Sequence, residues 1–213
     1  MEIKLGNTLV MIGDSITDVG RERPLGINER LGNGYVSLVN ALINSQYAHH
    51  PVRILNTGIS GNRVTDLQQR WDDDVLGHNP DWLSIMIGIN DVWRHFDNPL
   101  MQEQVNIGQY EEVLENLITQ TKPKLKGLIL MSPFYLETNR NDPMRVMMDQ
   151  YSLVIKNLAD KHGAVFVDVQ AAFDNYLKGQ PTQTLCSDRV HPNLTGHMII
   201  AKAFVDAIGF SWD

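Results

Sequence analysis

Ser15, Asp188 and His191 are the side chains whose types and spacing could carry nucleophilic chemistry. A serine hydroxyl is a poor nucleophile until a base takes its proton. An imidazole does this best near neutral pH, and a carboxylate fixes the ring's tautomer and stabilises the imidazolium. Asp188-Arg189-Val190-His191 offers base and orienter from one short segment. An aspartate capping a helix entry would produce the same short pattern. Ser15 follows the apolar run Leu9 to Ile12 across Gly13-Asp14, which places it at a strand end where a helix opens. Asp14, Ser15 and Thr17 are also ordinary N-cap residue types, and that reading stands beside the first. The serine is not in a Gly-x-Ser-x-Gly elbow, so the α/β-hydrolase fold is not indicated.

Acyl transfer further requires donors aimed at the developing oxyanion. Gly61 has no side chain and can bring its N–H close. Asn90 can offer a side-chain amide, and the N–H of Ser15 itself is a third donor. Each also reads as a turn or capping residue. What unites Ser15, Gly61 and Asn90 is that all three follow apolar runs.

Those runs are the elements that must position the chemistry. Leu9 to Ile12, Val52 to Leu55, Trp82 to Ile87, Gly127 to Met131 and Ala164 to Val169 read as five buried strands. They are continuous rather than alternating, as expected when both faces of a parallel sheet are covered. Between them apolar residues recur at helical spacing: Tyr35 to Ile43, Tyr110 to Ile118 and Tyr151 to Leu158. A last helix from about Leu194 would turn Met198, Ala201, Phe204, Val205 and Ile208 inward. Strand followed by helix, repeated, means one α/β domain over residues 1–213 with right-handed crossovers. Ligands of such sheets bind outside the carboxyl ends of the strands, where the candidate residues fall.

Composition narrows the partners. The 213 residues carry 18 Lys and Arg against 25 Asp and Glu, a net charge of −7. That balance argues against nucleic acid or an anionic membrane as a partner, since both call for a basic footprint. One cysteine, Cys186, rules out an intramolecular disulfide and any multi-cysteine zinc site. No run approaches a membrane span or a signal-peptide core, so a cytoplasmic protein is expected. His191 and His197 fall on different faces of one helix, so no metal pair is expected. Neither a phosphate-binding nor a dinucleotide-binding glycine loop is present.

Together, Gly13-Asp14-Ser15, Gly61, Asn90 and Asp188-x-x-His191 resemble the sequence blocks of the SGNH (GDSL-type) esterase and lipase family, in order and across nearly the whole chain. The resemblance implies a flavodoxin-like three-layer α/β/α sandwich with a five-stranded parallel sheet. It implies Ser15 as nucleophile, His191 as base and then acid, and Asp188 as its orienter. The Ser15 N–H, the Gly61 N–H and the Asn90 side chain would form the oxyanion hole, with no metal or organic cofactor.

Ile12 to Asp18, Gly58 to Asn62, Ser84 to Arg94, Asp142-Pro143-Met144-Arg145, Asp188 to Pro192 and the C-terminal Ile208 to Trp212 look more narrowly like intracellular bacterial acetyl-xylooligosaccharide esterases. The substrate implied is an O-acetyl group on a short xylan fragment. Trp93, Phe134 and Tyr135 follow strand ends and, with Arg94, are candidate sugar contacts, although packing of loops on the core would place the aromatics equally well and Arg94, like Arg63, could pair with acidic residues instead. A lysophospholipase or acyl-thioesterase would keep the mechanism with a longer acyl chain, and a non-catalytic carbohydrate-binding module is the reading from another class. The aromatic tail Phe210-Ser211-Trp212 needs a surface to cover, and relatives of this type assemble, which favours a homo-oligomer.

Overall fold

The structure is a computed structural model and describes residues 7–98, 100 and 103–211. In chain order its elements are β1 (Thr8–Gly13), α1 (Ser15–Asp18), β2 (Gly26–Ile27), α2 (Tyr35–Gln46), β3 (Arg53–Asn56), α3 (Val64–Asp74), β4 (Trp82–Met86), α4 (Ile89–Asp97), α5 (Ile107–Thr121), β5 (Gly127–Met131), α6 (Pro143–His162), β6 (Val165–Val167), α7 (Val169–Leu177) and α8 (Leu194–Ala207).

The strand order is β2-β3-β1-β4-β5-β6. β3, β1, β4, β5 and β6 are parallel, with Val10 opposite Leu55 on one side and Leu83 on the other. These strands have almost no exposed residue because helices flank the sheet, which is why their sequences are continuously apolar. One helical layer joins α2, α7 and α8, and the other joins α3, α4, α5 and α6. Tyr110, Leu114, Leu117 and Ile118 form the buried stripe of α5.

Three expectations need correcting. The sheet has six strands rather than five, because two-residue β2 pairs antiparallel with the edge of β3, Gly26 opposite Asn56. So short a strand carries no periodic signal. The last strand stops at Val167, since Asp168 accepts the Ala171 N–H at 2.9 Å and caps α7, which takes Val169 into a helix. On α8, Met198 is exposed and His197 takes the inward position beside Ile200, Ala201, Phe204 and Val205.

β1 and β4 are adjacent, while the chain leaves β1 for β3 on the other side, so the direction of winding changes between β1 and β4. A crevice forms at such a point, outside the carboxyl ends of the strands. Ser15 follows β1 and Asn90 follows β4.

Candidate active site

Gly13 must be a glycine for Ser15 to stand where it does. A side chain there would lie 2.3 Å from Thr17 Oγ1 and 2.4 Å from the Met86 carbonyl. β1 therefore runs hard against β4 before the chain turns. Asp14 then caps α1, its carboxylate accepting the Ile16 N–H at 3.0 Å. Ser15 opens the helix, so its own N–H lies in the first turn without an intrahelical acceptor. Thr17 Oγ1 and the Tyr35 hydroxyl hydrogen-bond at 3.0 Å and tie the turn to α2.

Ser15 Oγ lies 3.0 Å from His191 Nε2, and His191 Nδ1 lies 2.7 Å from Asp188 Oδ2. The other carboxylate oxygen of Asp188 accepts the N–H groups of Val190 and His191 at 3.0 and 2.9 Å. The loop can fold back this tightly because Arg189 takes a left-handed backbone, φ +64°. Burial alone would raise the pKa of Asp188. The His191 N–H, the His191 ring and the Val190 N–H outweigh it and hold the carboxyl below the usual carboxylate range. Asp188 is thus a charged carboxylate fixed by three hydrogen bonds.

Gly61 has φ +82°, and no atom lies within 4 Å of where its side chain would be, so it faces open space. Asn90 is 3% exposed in the first turn of α4. Its Nδ2 donates to the Asn62 carbonyl at 3.0 Å, and its Oδ1 accepts from Arg94 at 3.4 Å. The loop of Gly61 is tied to α1 through the Ser60 N–H, which donates to Asp18 Oδ2 at 3.0 Å. It is tied to β1 through the Ile59 N–H, which donates to the Gly13 carbonyl at 3.1 Å. The three expected donors therefore come from turns that are bonded to one another.

Trp93 stands beside His191, their ring centroids 5.9 Å apart. With Phe96, Tyr135, Met144 and Arg189 it lines an open pocket of about 300 Å³. The Arg189 guanidinium lies 5.2 Å above the Tyr135 ring and pairs with Glu137 at 2.6 Å. Phe134 is not at this rim. It is fully buried on Phe173, centroids 4.5 Å apart, because the chain leaving β5 turns it into the core, while Tyr135, also buried, reaches the pocket wall beneath Arg189. Arg94 stacks over Trp93 and pairs with Asp97.

Several arginines around the site have roles that the sequence does not show. Arg70 binds the carbonyls of Gly13 and Thr57, and Arg21 binds that of Gly58 at 2.6 Å. Arg145 is fully buried, with both Asp174 oxygens at 2.8 Å and the Glu137 carbonyl at 2.6 Å, so it fixes the loop that holds Arg189. An arginine on a helix reads as a solvated charge in sequence. Only the buried carbonyls it meets reveal the other role. His197 is likewise structural: its Nδ1 accepts the Tyr35 N–H at 3.2 Å, and burial first, then His191, lowers its pKa to about 4. Burial raises the thiol pKa of Cys186, which suits a bystander. Among the described residues no three His, Cys, Asp or Glu cluster as a metal site, and no helix is long and apolar enough to cross a membrane.

The GDSL-like lipase/acylhydrolase family model matches residues 11–199. An acetylxylan esterase of Geobacillus stearothermophilus is 52% identical over 100% of this chain and 98% of its own length. Its crystal structure superposes with a TM-score of 0.98 over 100% of this chain and 98% of that one. Catalytic mutants of that enzyme replace a serine, a histidine and an aspartate. LAE5, a hydrolase from the metagenome of Lake Arreo, Spain, is 46% identical, with a TM-score of 0.95 over 98% of both chains. The uncharacterised protein YpmR of Bacillus subtilis is 26% identical over 94% of this chain and 80% of its own. The chain is a carboxylic ester hydrolase with a Ser-His-Asp triad. It belongs to the GDSL-like lipase/acylhydrolase family.

Proposed function

We propose that this enzyme removes O-acetyl groups from short xylo-oligosaccharides, with Ser15 as nucleophile, His191 as general base and acid, and Asp188 as orienter. The observation that carries the reading is the Ser15–His191–Asp188 relay at 3.0 and 2.7 Å beside the Trp93 pocket. Ser15 Oγ attacks the acetyl carbonyl carbon while its proton passes to His191 Nε2. The carbonyl oxygen becomes an oxyanion, received by the N–H groups of Ser15 and Gly61 and by Asn90 Nδ2. Collapse breaks the bond to the sugar oxygen, which takes the proton from His191. Water then attacks the acetyl-enzyme, giving its proton to His191, and acetate leaves as Ser15 is restored.

An open pocket of about 300 Å³ that includes Asp97, Asp142 and Arg189 suits an acetyl group on a neutral, hydroxylated ring better than a long acyl chain. Trp93 supplies an aromatic face for the ring, Tyr135 backs Arg189 in the pocket wall, and Arg94 supports Trp93 and Asn90 from behind. The same reading makes residues 1–213 one hydrolase domain acting in the cytoplasm on oligomers, as a homo-oligomer. Of its aromatic tail, Phe210 packs edge-on to Tyr47 with centroids 5.7 Å apart, and Trp212 lies outside the described residues.

Acetate release from acetylated xylo-oligosaccharides tests the proposal. Wild-type enzyme releases acetate, and Ser15→Ala stays folded with turnover reduced about 10⁶-fold. A clear preference for octanoyl over acetyl esters of one alcohol would overturn the sugar-acetate reading in favour of a lysophospholipase or thioesterase. Near-wild-type activity in Ser15→Ala would overturn the triad assignment.

A further inference from the structure

Arg70 lies on α3, outside every motif in the sequence, yet its guanidinium touches two of the three turns that carry the expected oxyanion donors. Nη2 donates to the Gly13 carbonyl at 3.0 Å, two residues before Ser15. Nη1 donates to the Thr57 carbonyl at 2.6 Å, where β3 enters the Gly61 loop, and Nε donates to Asn62 Oδ1 at 2.7 Å. Asp74, one helical turn on, supplies the countercharge at 2.5 Å. Asn62 continues the chain of contacts, since its main-chain carbonyl accepts Asn90 Nδ2 at 3.0 Å. One run of hydrogen bonds, Gly13 to Arg70 to Asn62 to Asn90, therefore links the turns of all three expected donors.

We propose that Arg70, acting through Asn62, is a positioning residue that sets the three oxyanion donors relative to one another. It does not touch the reacting atoms. The proposal rests on the ester-hydrolysis reading for its kinetic consequence, although its geometry stands apart from turnover. A planar fork is required because the two carbonyls and the Asn62 oxygen surround one plane. The compact ammonium of lysine offers its donors from a single point and cannot span them. A role confined to stability would lower the melting point of variants without selecting the transition state. A positioning role lowers kcat and leaves substrate binding in place.

The test uses Arg70→Lys, Asn62→Ala and the double variant, assayed on 4-nitrophenyl acetate well below each melting midpoint. Arg70→Lys is expected to lose about 10²-fold in kcat, the scale of one misplaced oxyanion donor, with KM and the pH midpoint of kcat/KM unmoved. Asn62→Ala shows the same split to a smaller degree. The double variant loses no more than Arg70→Lys, because both changes break one path. Hydrogen exchange at the Ile59 and Asn62 amides, which does not depend on turnover, quickens in Arg70→Lys. Wild-type kcat in a folded variant, a loss carried by KM or by a moved pH midpoint, additive losses, or unchanged exchange would each overturn the proposal. Should Arg70→Lys fail to fold, Asn62→Ala decides, since Asn62 lies on a partly exposed loop. Failure of the ester reading looks different: wild-type enzyme would then hydrolyse no ester, and the exchange result would still judge Arg70.

Discussion

Asp188 and Asp14 each stand near one end of the same relay, yet their surroundings are opposite. The side chain of Asp188 is 39% exposed on a loop that satisfies it internally, and its carboxyl is held below the usual range. Asp14 is 1% exposed beneath the nucleophile turn, and burial, opposed by the Ile16 N–H and aided by nearby Asp91, pushes it up to about 7. Asp91, beneath Asn90, is pushed to the same level, again chiefly by burial. The base side thus keeps its aspartate charged with bonds from within four residues. The nucleophile side raises Asp14 and Asp91 until each holds its proton up to about pH 7, and it is held by contacts across the fold. One residue type does opposite work because one site is wet and local and the other is dry and built at long range.

The same substitution on both sides puts this contrast to the test. Asp188→Asn keeps an oxygen for the Val190 and His191 N–H groups but presents an amide donor to His191 Nδ1. The ring is then held in the wrong tautomer, with its proton on the nitrogen that should accept from Ser15. Turnover of 4-nitrophenyl acetate is expected to fall about 10⁴-fold with little change in melting temperature. Near-wild-type turnover would show that Asp188 does not orient the base and would end the comparison.

A smaller loss is expected on the nucleophile side. Asn90→Ala removes one of the three proposed oxyanion donors and leaves the relay intact, so kcat should fall about 10²–10³-fold with KM nearly constant. Steady-state kinetics on acetate esters measures this. If KM carries the change, Asn90 serves ground-state binding and the oxyanion is held by the Ser15 and Gly61 N–H groups alone.

The contrast also accounts for what could be read from sequence. Asp188 and His191 are three residues apart and form their hydrogen bond within one loop, so spacing alone brings them together. Ser15, Gly61 and Asn90 were legible because each follows a continuously apolar strand whose carboxyl end must face the crevice. The role of Arg70 was not, and Asn62 and Arg145, though they stand inside the resembling sequence blocks, showed no role there, because the groups they meet come from other elements and are fixed only when the sheet is assembled. Phe134 shows the same limit at one residue's scale. A strand end shows where the chain emerges, but not whether Phe134 or Tyr135 lines the pocket. Likewise β2 exists only as the partner of β3, and its Gly26-Ile27 has no pattern of its own.

The smallest effect, and the one that best probes the dry floor, concerns stability. Asp91 Oδ1 accepts the Val64 N–H at 3.0 Å, while buried Oδ2 has no hydrogen-bond partner among the described residues. Its folded-state pKa is raised from 3.8 to about 7, so the folded protein keeps a proton that the unfolded chain releases at lower pH. The unfolded state binds fewer protons throughout that interval, so stability falls as pH rises from about 4 to 7, and above that the cost is complete. Asp91→Asn keeps the acceptor for Val64, carries no charge and removes this cost. The variant should therefore melt above wild type by a margin that is largest at pH 8, smaller at pH 5 and least near pH 4. Thermal unfolding at those three pH values measures it. A margin independent of pH would mean that Asp91 is already paired or solvated in the folded state, and that the floor of the nucleophile side is wetter than its burial implies.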